Sequence, residues 1–175
     1  AVRAAQADLE TSEADLQSTQ VSLSAEIART YVELRAYQAH LTIARDNLKT
    51  QEETLDLVSW RAQAGLVSDL DVQQSRTSVE QTRATIPAIE ARVAESEHRL
   101  AVLTGQPPTA LSQVLAAPTE IPKGPDRLLV GIPAETLRQR PDVRSAERKL
   151  AAATARVDQA RAALYPTLSL SGTLG

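Results

Sequence analysis

The chain contains no phenylalanine, no methionine and no cysteine, and its aromatic residues are limited to Trp60, Tyr31, Tyr37 and Tyr165. Large aromatic side chains normally fill thick cores. A chain without them must close thin cores from Ala, Leu, Val and Ile at regular spacing, as helix seams do. The missing cysteines exclude a disulfide framework and thiolate metal sites. Charge of one sign is also missing. The 19 Lys and Arg and 22 Asp and Glu are interspersed and leave a formal net charge of -3. That argues against a nucleic-acid partner, which calls for a strongly basic surface. No signal peptide is visible, and no apolar run approaches the roughly 20 residues of a membrane-spanning helix. The chain starts at Ala1 without Met and stops at Gly175 inside a stretch that reads as a strand. The expectation is a piece of a longer protein.

Proline and glycine are absent from Val2 to Ala64, and there the apolar residues recur every seven positions. Leu9, Leu16 and Leu23 form one row; Ile27, Leu34, Leu41, Leu48 and Leu55 form a second, offset by four. Rows at three-and-four spacing are a coiled-coil seam, and about 60 residues of helix make a rod of roughly 90 Å. Gly65 suits the left-handed position past a helix end. Ser68 then offers an N-cap, with Asp71 three residues on to reach back to the free amides. A second helix from Asp69 carries the row Val72, Val79, Ile86, Val93 and Leu100. So short a turn folds the two helices into an antiparallel hairpin over 1–105, with its tip near 65–71. Pro87 is expected to bend the second helix, and Trp60 is expected to pack against it.

From Gln106 to about Pro133 the chain is rich in Pro and Gly. It reads as a connector over 106–140, with short helical turns near 110–115 and 134–139. Pro141 and Asp142 open a third long helix, over 141–165, at positions that favour a fixed φ and a negative charge. Pro166 stops it. Thr167 to Leu174 then alternates, with Leu168, Leu170 and Leu174 on one face and Thr167, Ser169, Ser171 and Thr173 on the other. That is the pattern of a transmembrane β-barrel strand, cut short at 166–175. The fold class is all-α: a long antiparallel coiled-coil hairpin, a Pro-rich connector and a third long helix.

Three stretches now resemble the TolC/OprM/NodT-type outer-membrane factors. The longest runs from Gly131-Ile132-Pro133 through Arg140-Pro141-Asp142-Val143 and Ala146-Glu147 to Leu164-Tyr165-Pro166 and Ser171-Gly172. Leu100 to Pro108 is similar to the family's helix end, and Gly65-Leu66-Val67-Ser68 with Asp71-Val72-Gln73 is similar to its hairpin tip. It departs at Ala64, where the family often has Val. The resemblance implies a homotrimer in the full-length protein, with a twelve-stranded barrel in the outer membrane and a periplasmic tunnel of twelve helices. It also implies a periplasmic adaptor and an inner-membrane pump as partners. The expected function is the channel of a tripartite efflux or export system. The alternatives are a periplasmic adaptor's α-hairpin, disfavoured by the Pro-rich flank and third helix, and a purely structural coiled coil.

No catalytic, cofactor or metal residues are assigned, and the chain is not read as an enzyme. His40 and His98 stand alone on polar helix faces, and adjacent Glu52 and Glu53 point apart on a helix. Family resemblance makes Gly65, Leu66, Val67 and Ser68 the adaptor-docking tip. Gly65 and Ser68 also read as plain helix caps, although capping does not demand the pair Leu66-Val67. Asp69 and Asp71 are candidates for a constriction at the tunnel end, or carboxylates at a helix N-terminus.

Overall fold

Alanine, leucine, glutamine, glutamate and arginine favour helix almost everywhere along this chain, and helix is what forms. The structure, a computed structural model, describes residues 2–117, 119–124, 133–166 and 172. Its helices are α1 (Val2–Gln63), α2 (Asp69–Leu103), α3 (Ser112–Leu115), α4 (Pro133–Gln139) and α5 (Pro141–Ala162). Among the described residues there is no strand. The alternating stretch expected at 166–175 lies outside them, apart from Pro166 and Gly172. No described helix is long and apolar enough to cross a membrane. The chain divides into two compact units, 25–124 and 1–24 with 125–175, so α1 contributes to both.

In the unit of residues 25–124, the later part of α1 packs against α2. Leu34, Val79 and Leu100 are buried, and Leu34, Leu100 and Leu115 form one cluster ringed by Ile27, Tyr31, Val93 and Leu111. The second seven-residue row of α1 and the row of α2 therefore supply the seam. Leu41, Leu48, Leu55, Val72 and Ile86 are half-buried along it. Ion pairs Glu26–Arg99, Arg45–Glu90 and Glu52–Arg83 run backward along α2 as they run forward along α1, as an antiparallel pair requires. Exposed pairs of this kind add little stability, but their order matches the register of the apolar rows. Helix α2 continues through Pro87. It ends where Gly105, at φ +71°, and Gln106 turn their amides back to Val102 and Ala101 at 3.0 and 2.8 Å. This 6→1 and 5→2 closure is the Schellman motif. The connector beyond it carries α3, which delivers Leu115 to the core.

The other unit closes differently. Ala4, Ala7, Thr11 and Ala14 of α1 are buried, as are Ser145 and Ala152 of α5. The order of the ion pairs is again antiparallel: Asp8–Arg156 at 2.8 Å, Glu10–Arg148 at 3.1 Å and Asp15–Lys149 at 3.3 Å. Ser145 Oγ donates to Asp15 at 2.5 Å. That bond and the Lys149 ammonium hold the Asp15 carboxyl below the usual carboxylate range. At the start of α5, Pro141 takes the first turn, and Asp142 accepts two bonds from Arg140 at 3.1 and 2.7 Å.

Two expectations are corrected here. Leu9, Leu16 and Leu23 are exposed rather than buried in a seam, Leu9 and Leu16 by 61% and 60%. Helix axes approach more closely over small side chains, and the rows Ala4–Thr11 and Ala7–Ala14 have the same seven-residue spacing as the leucines. The small rows took the contact with α5. Trp60 is 67% exposed. It follows half-buried Val58 by two residues, about 200° around a helix, which turns it away from α2.

Leu34→Ala is expected to destabilise the hairpin by about 3 kcal/mol, because its side chain is wholly enclosed. Leu41→Ala at its half-buried site should cost less, and Leu16→Ala should shift the thermal midpoint of this chain little. Thermal melts of the three variants check the assignment of faces. Equal midpoints for Leu34→Ala and Leu16→Ala would contradict it.

Candidate functional site

The turn between α1 and α2 gathers all six residues singled out by the sequence. It opens with a second Schellman closure: Gly65 N–H donates to Ala62 O and Leu66 N–H to Arg61 O, both at 2.9 Å. Gly65 stands at φ +73°, a conformation that L side chains rarely adopt. A Cβ built on it would meet nothing within 4 Å. Glycine is required here by the backbone angle, and the space beside it is open.

A Schellman turn commonly packs the residue after its glycine against the last helical turn. Leu66, in that place, is 73% exposed. Val67 is half-buried, and Ser68 adopts φ −88°, ψ 157° to start α2. A capping box follows. Asp71 N–H donates to Ser68 Oγ at 3.3 Å, and Asp71 Oδ2 accepts from Ser68 N–H at 2.9 Å. Ser68 Oγ–H also donates to Asp71 Oδ2, at 2.7 Å. The serine's one hydroxyl proton is thus engaged, and what it can still offer a partner is a lone pair. The two bonds from Ser68 hold the Asp71 carboxyl below the usual carboxylate range. Asp71 therefore acts as a cap in this chain. Asp69 lies exposed in the first turn of α2, where the helix dipole favours negative charge.

The sequence reading did not single out Leu70 at this end, and it placed Trp60 against α2. Trp60 and Leu70 are exposed by 67% and 64%. The signal for both was the seven-residue arithmetic. The α1 row passes from Leu55 to Ala62, and the α2 row begins at Val72, so Trp60 and Leu70 each fall two residues off their row. Among the described residues, no group of three or more His, Asp or Glu gathers as a metal site. His40 and His98 are both exposed.

The family model for outer membrane efflux proteins matches residues 1–106 and 132–175. Nodulation protein T of Rhizobium leguminosarum bv. trifolii is 36% identical over 170 residues, 97% of this chain and 36% of that protein. The pyoverdine export outer membrane protein OpmQ of Pseudomonas aeruginosa is 38% identical over 174 residues, 99% of this chain and 36% of the relative. The solved structure of the outer-membrane channel OprN superposes with a TM-score of 0.87 at 40% identity, over 93% of this chain and 36% of that one. The chain thus spans about a third of the length of its relatives.

Ser68→Ala, which deletes the N-cap oxygen, is expected to cost about 1 kcal/mol of hairpin stability. Gly65→Ala should cost a similar amount, about 1 kcal/mol, from backbone strain alone, since no neighbour obstructs its methyl group. The depressed carboxyl of Asp71 contributes stability that is present above its unfolded-state pKa and is lost as pH falls through the lower folded value. Asp71→Asn should remove that component. Urea melts of both proteins from neutral to acid pH would then converge at the acid end. A constant difference across that range would sink the cap assignment.

Proposed function

The chain belongs to the outer membrane efflux protein family, and on that footing we propose that it is a periplasmic wall segment and docking tip of a trimeric export channel. The adaptor and bare coiled-coil alternatives fall away with the family match. The observation that carries the reading is the second seam left on each helix of the smaller unit. Helices α1 and α5 meet through alanines, Thr11 and Ser145, while larger apolar residues stay outside. Leu9 and Leu16 each follow a buried alanine by two residues, about 200° around the helix. On α5, Leu150 and Val157 are seven apart and exposed by 70% and 53%, and Leu150 precedes buried Ala152 by two. A helix with an apolar row on each of two opposite faces suits a wall, flanked by helices on both sides. Those further helices come from the rest of the protein and from its copies.

In this reading the channel conducts passively. It does no chemistry on its cargo, and an inner-membrane pump supplies the energy. The wall lies in the periplasm, below a barrel in the outer membrane. The tip docks the periplasmic adaptor through Gly65, Leu66, Val67 and Ser68. Three features support this. Leu66 is apolar, mostly in solvent and not used by its own turn. Gly65 leaves open space where another backbone can approach. The rigid caps on either side fix the loop before a partner arrives, which lowers the entropy cost of docking.

Gly65→Arg tests the docking role in the full-length protein. Its side chain would enter open space, so the change costs the fold only backbone strain of about 1–2 kcal/mol. Drug or siderophore export should be abolished while the amount of membrane-inserted trimer is unchanged. Normal export from normally inserted trimer would reduce the tip to a pair of helix caps. For the wall, Leu16→Ala should weaken the trimer of the full-length channel on heating in detergent. An unaltered trimer would remove the second seam.

A further inference from the structure

The connector over residues 106–124 is held by α1 in a way that the apolar seam does not explain. Arg35 is 4% exposed and Gln38 is 8% exposed. Arg35 Nη1 donates to Ala117 O at 2.8 Å, to Leu115 O at 3.3 Å and to Gln38 Oε1 at 2.7 Å. Gln38 Nε2 donates to the same Leu115 carbonyl at 2.8 Å. The guanidinium lies over the Tyr31 ring, 4.9 Å from its centroid. Tyr31, Arg35 and Gln38 are four and three residues apart, so they share one face of α1. That face grips the connector where α3 ends and its last carbonyls lack helical partners.

Two details separate this grip from ordinary core packing. The bonds that Arg35 and Gln38 make to the connector all go to main-chain carbonyls, so they hold its path whatever side chains it carries, and Tyr31 adds a side-chain hydrogen bond to Thr119. Its charge is also unusual. No described carboxylate pairs with Arg35, and its Nε is buried without a partner. Burying a cation is costly unless dipoles replace its water. Here the carbonyls of Leu115 and Ala117, with the Tyr31 ring, do so. Opening the connector would return the buried Arg35 cation to water and restore its hydration, which offsets part of the cost of exposing Leu115, whereas the charged pairs across the α1–α2 seam already lie largely in solvent and offer no comparable offset. The two movements therefore differ in free energy and separate into different opening units.

We propose that Arg35, seated with Gln38 on Tyr31, is a latch that holds the connector against the hairpin, and that the connector opens from it without the seam. While latched, the connector presents Val114 and Ile121 outward, exposed by 74% and 43%, and buries Leu115.

Hydrogen exchange of the full-length channel tests this. Arg35→Met keeps the aliphatic stem and removes the donors. Amides of residues 111–117 should exchange about tenfold faster or more, while those of 79–100 in α2 stay as protected as before. Arg35→Lys, which keeps the charge but lacks the planar fork, should fall between. Leu34→Ala serves as the contrast, because it should speed exchange in α2 as well. If Arg35→Met leaves 111–117 unchanged, or speeds 111–117 and 79–100 by the same factor, there is no separate latch. Should that variant fail to fold, Gln38→Met removes one bond to Leu115 O. Faster exchange confined to 111–117 would support the latch, and unchanged exchange there would overturn it.

Discussion

A core only one side chain deep governs everything else in this molecule. With no Phe or Met to fill a thick interior, each helix is stabilised by a narrow stripe against one neighbour, and the stripe must recur every seven residues to stay in contact over many turns. Stability is then spread along the seam instead of gathered at a centre. The largest fully enclosed side chains are Leu34, Val79 and Thr30, all of modest size. Where the connector reaches the seam, Leu115 adds a third leucine to Leu34 and Leu100. The deepest part of the fold is where three segments meet, not two.

The two units solve the same problem with different residues. The hairpin uses branched side chains on both helices and surrounds them with ion pairs across the seam. The pair formed by α1 and α5 uses alanine, threonine and serine, and sorts its charges so that the acids lie on α1 and the cations on α5. Small side chains bury little apolar area. That pair therefore relies more on close approach and on the Asp15–Ser145 bond. The leucines this leaves outside are a liability in an isolated chain and a resource in a wall of helices.

The tip depends on the same economy. A hairpin joined by so few residues can reverse direction only if both helix ends are closed at once. Gly65 closes one by its left-handed backbone, and Ser68 with Asp71 closes the other. With the amides of Gly65, Leu66, Ser68 and Asp71 bonded within the turn, Leu66 is left as an apolar side chain on a capped loop. This links local capping to the docking role proposed for the channel.

Much of this was legible in the sequence because it depends on local chemistry. The helix stops at Gly65 and Gly105, the capping box, Pro141 at the head of the last helix and the period of seven all follow from backbone angles and side-chain spacing. What spacing alone could not decide was which of two rows with the same period meets a neighbour. Leu9–Leu16 and Ala7–Ala14 are equally regular, and only tertiary packing chose the alanines, because α5 can come close over them. The exposure of Trp60 was open to the same arithmetic, had its position been measured from the seam instead of from its size. The role of Arg35 was not legible at all. Its partners on the connector are main-chain carbonyls about 80 residues away along the chain, and a carbonyl carries no mark in the amino-acid sequence.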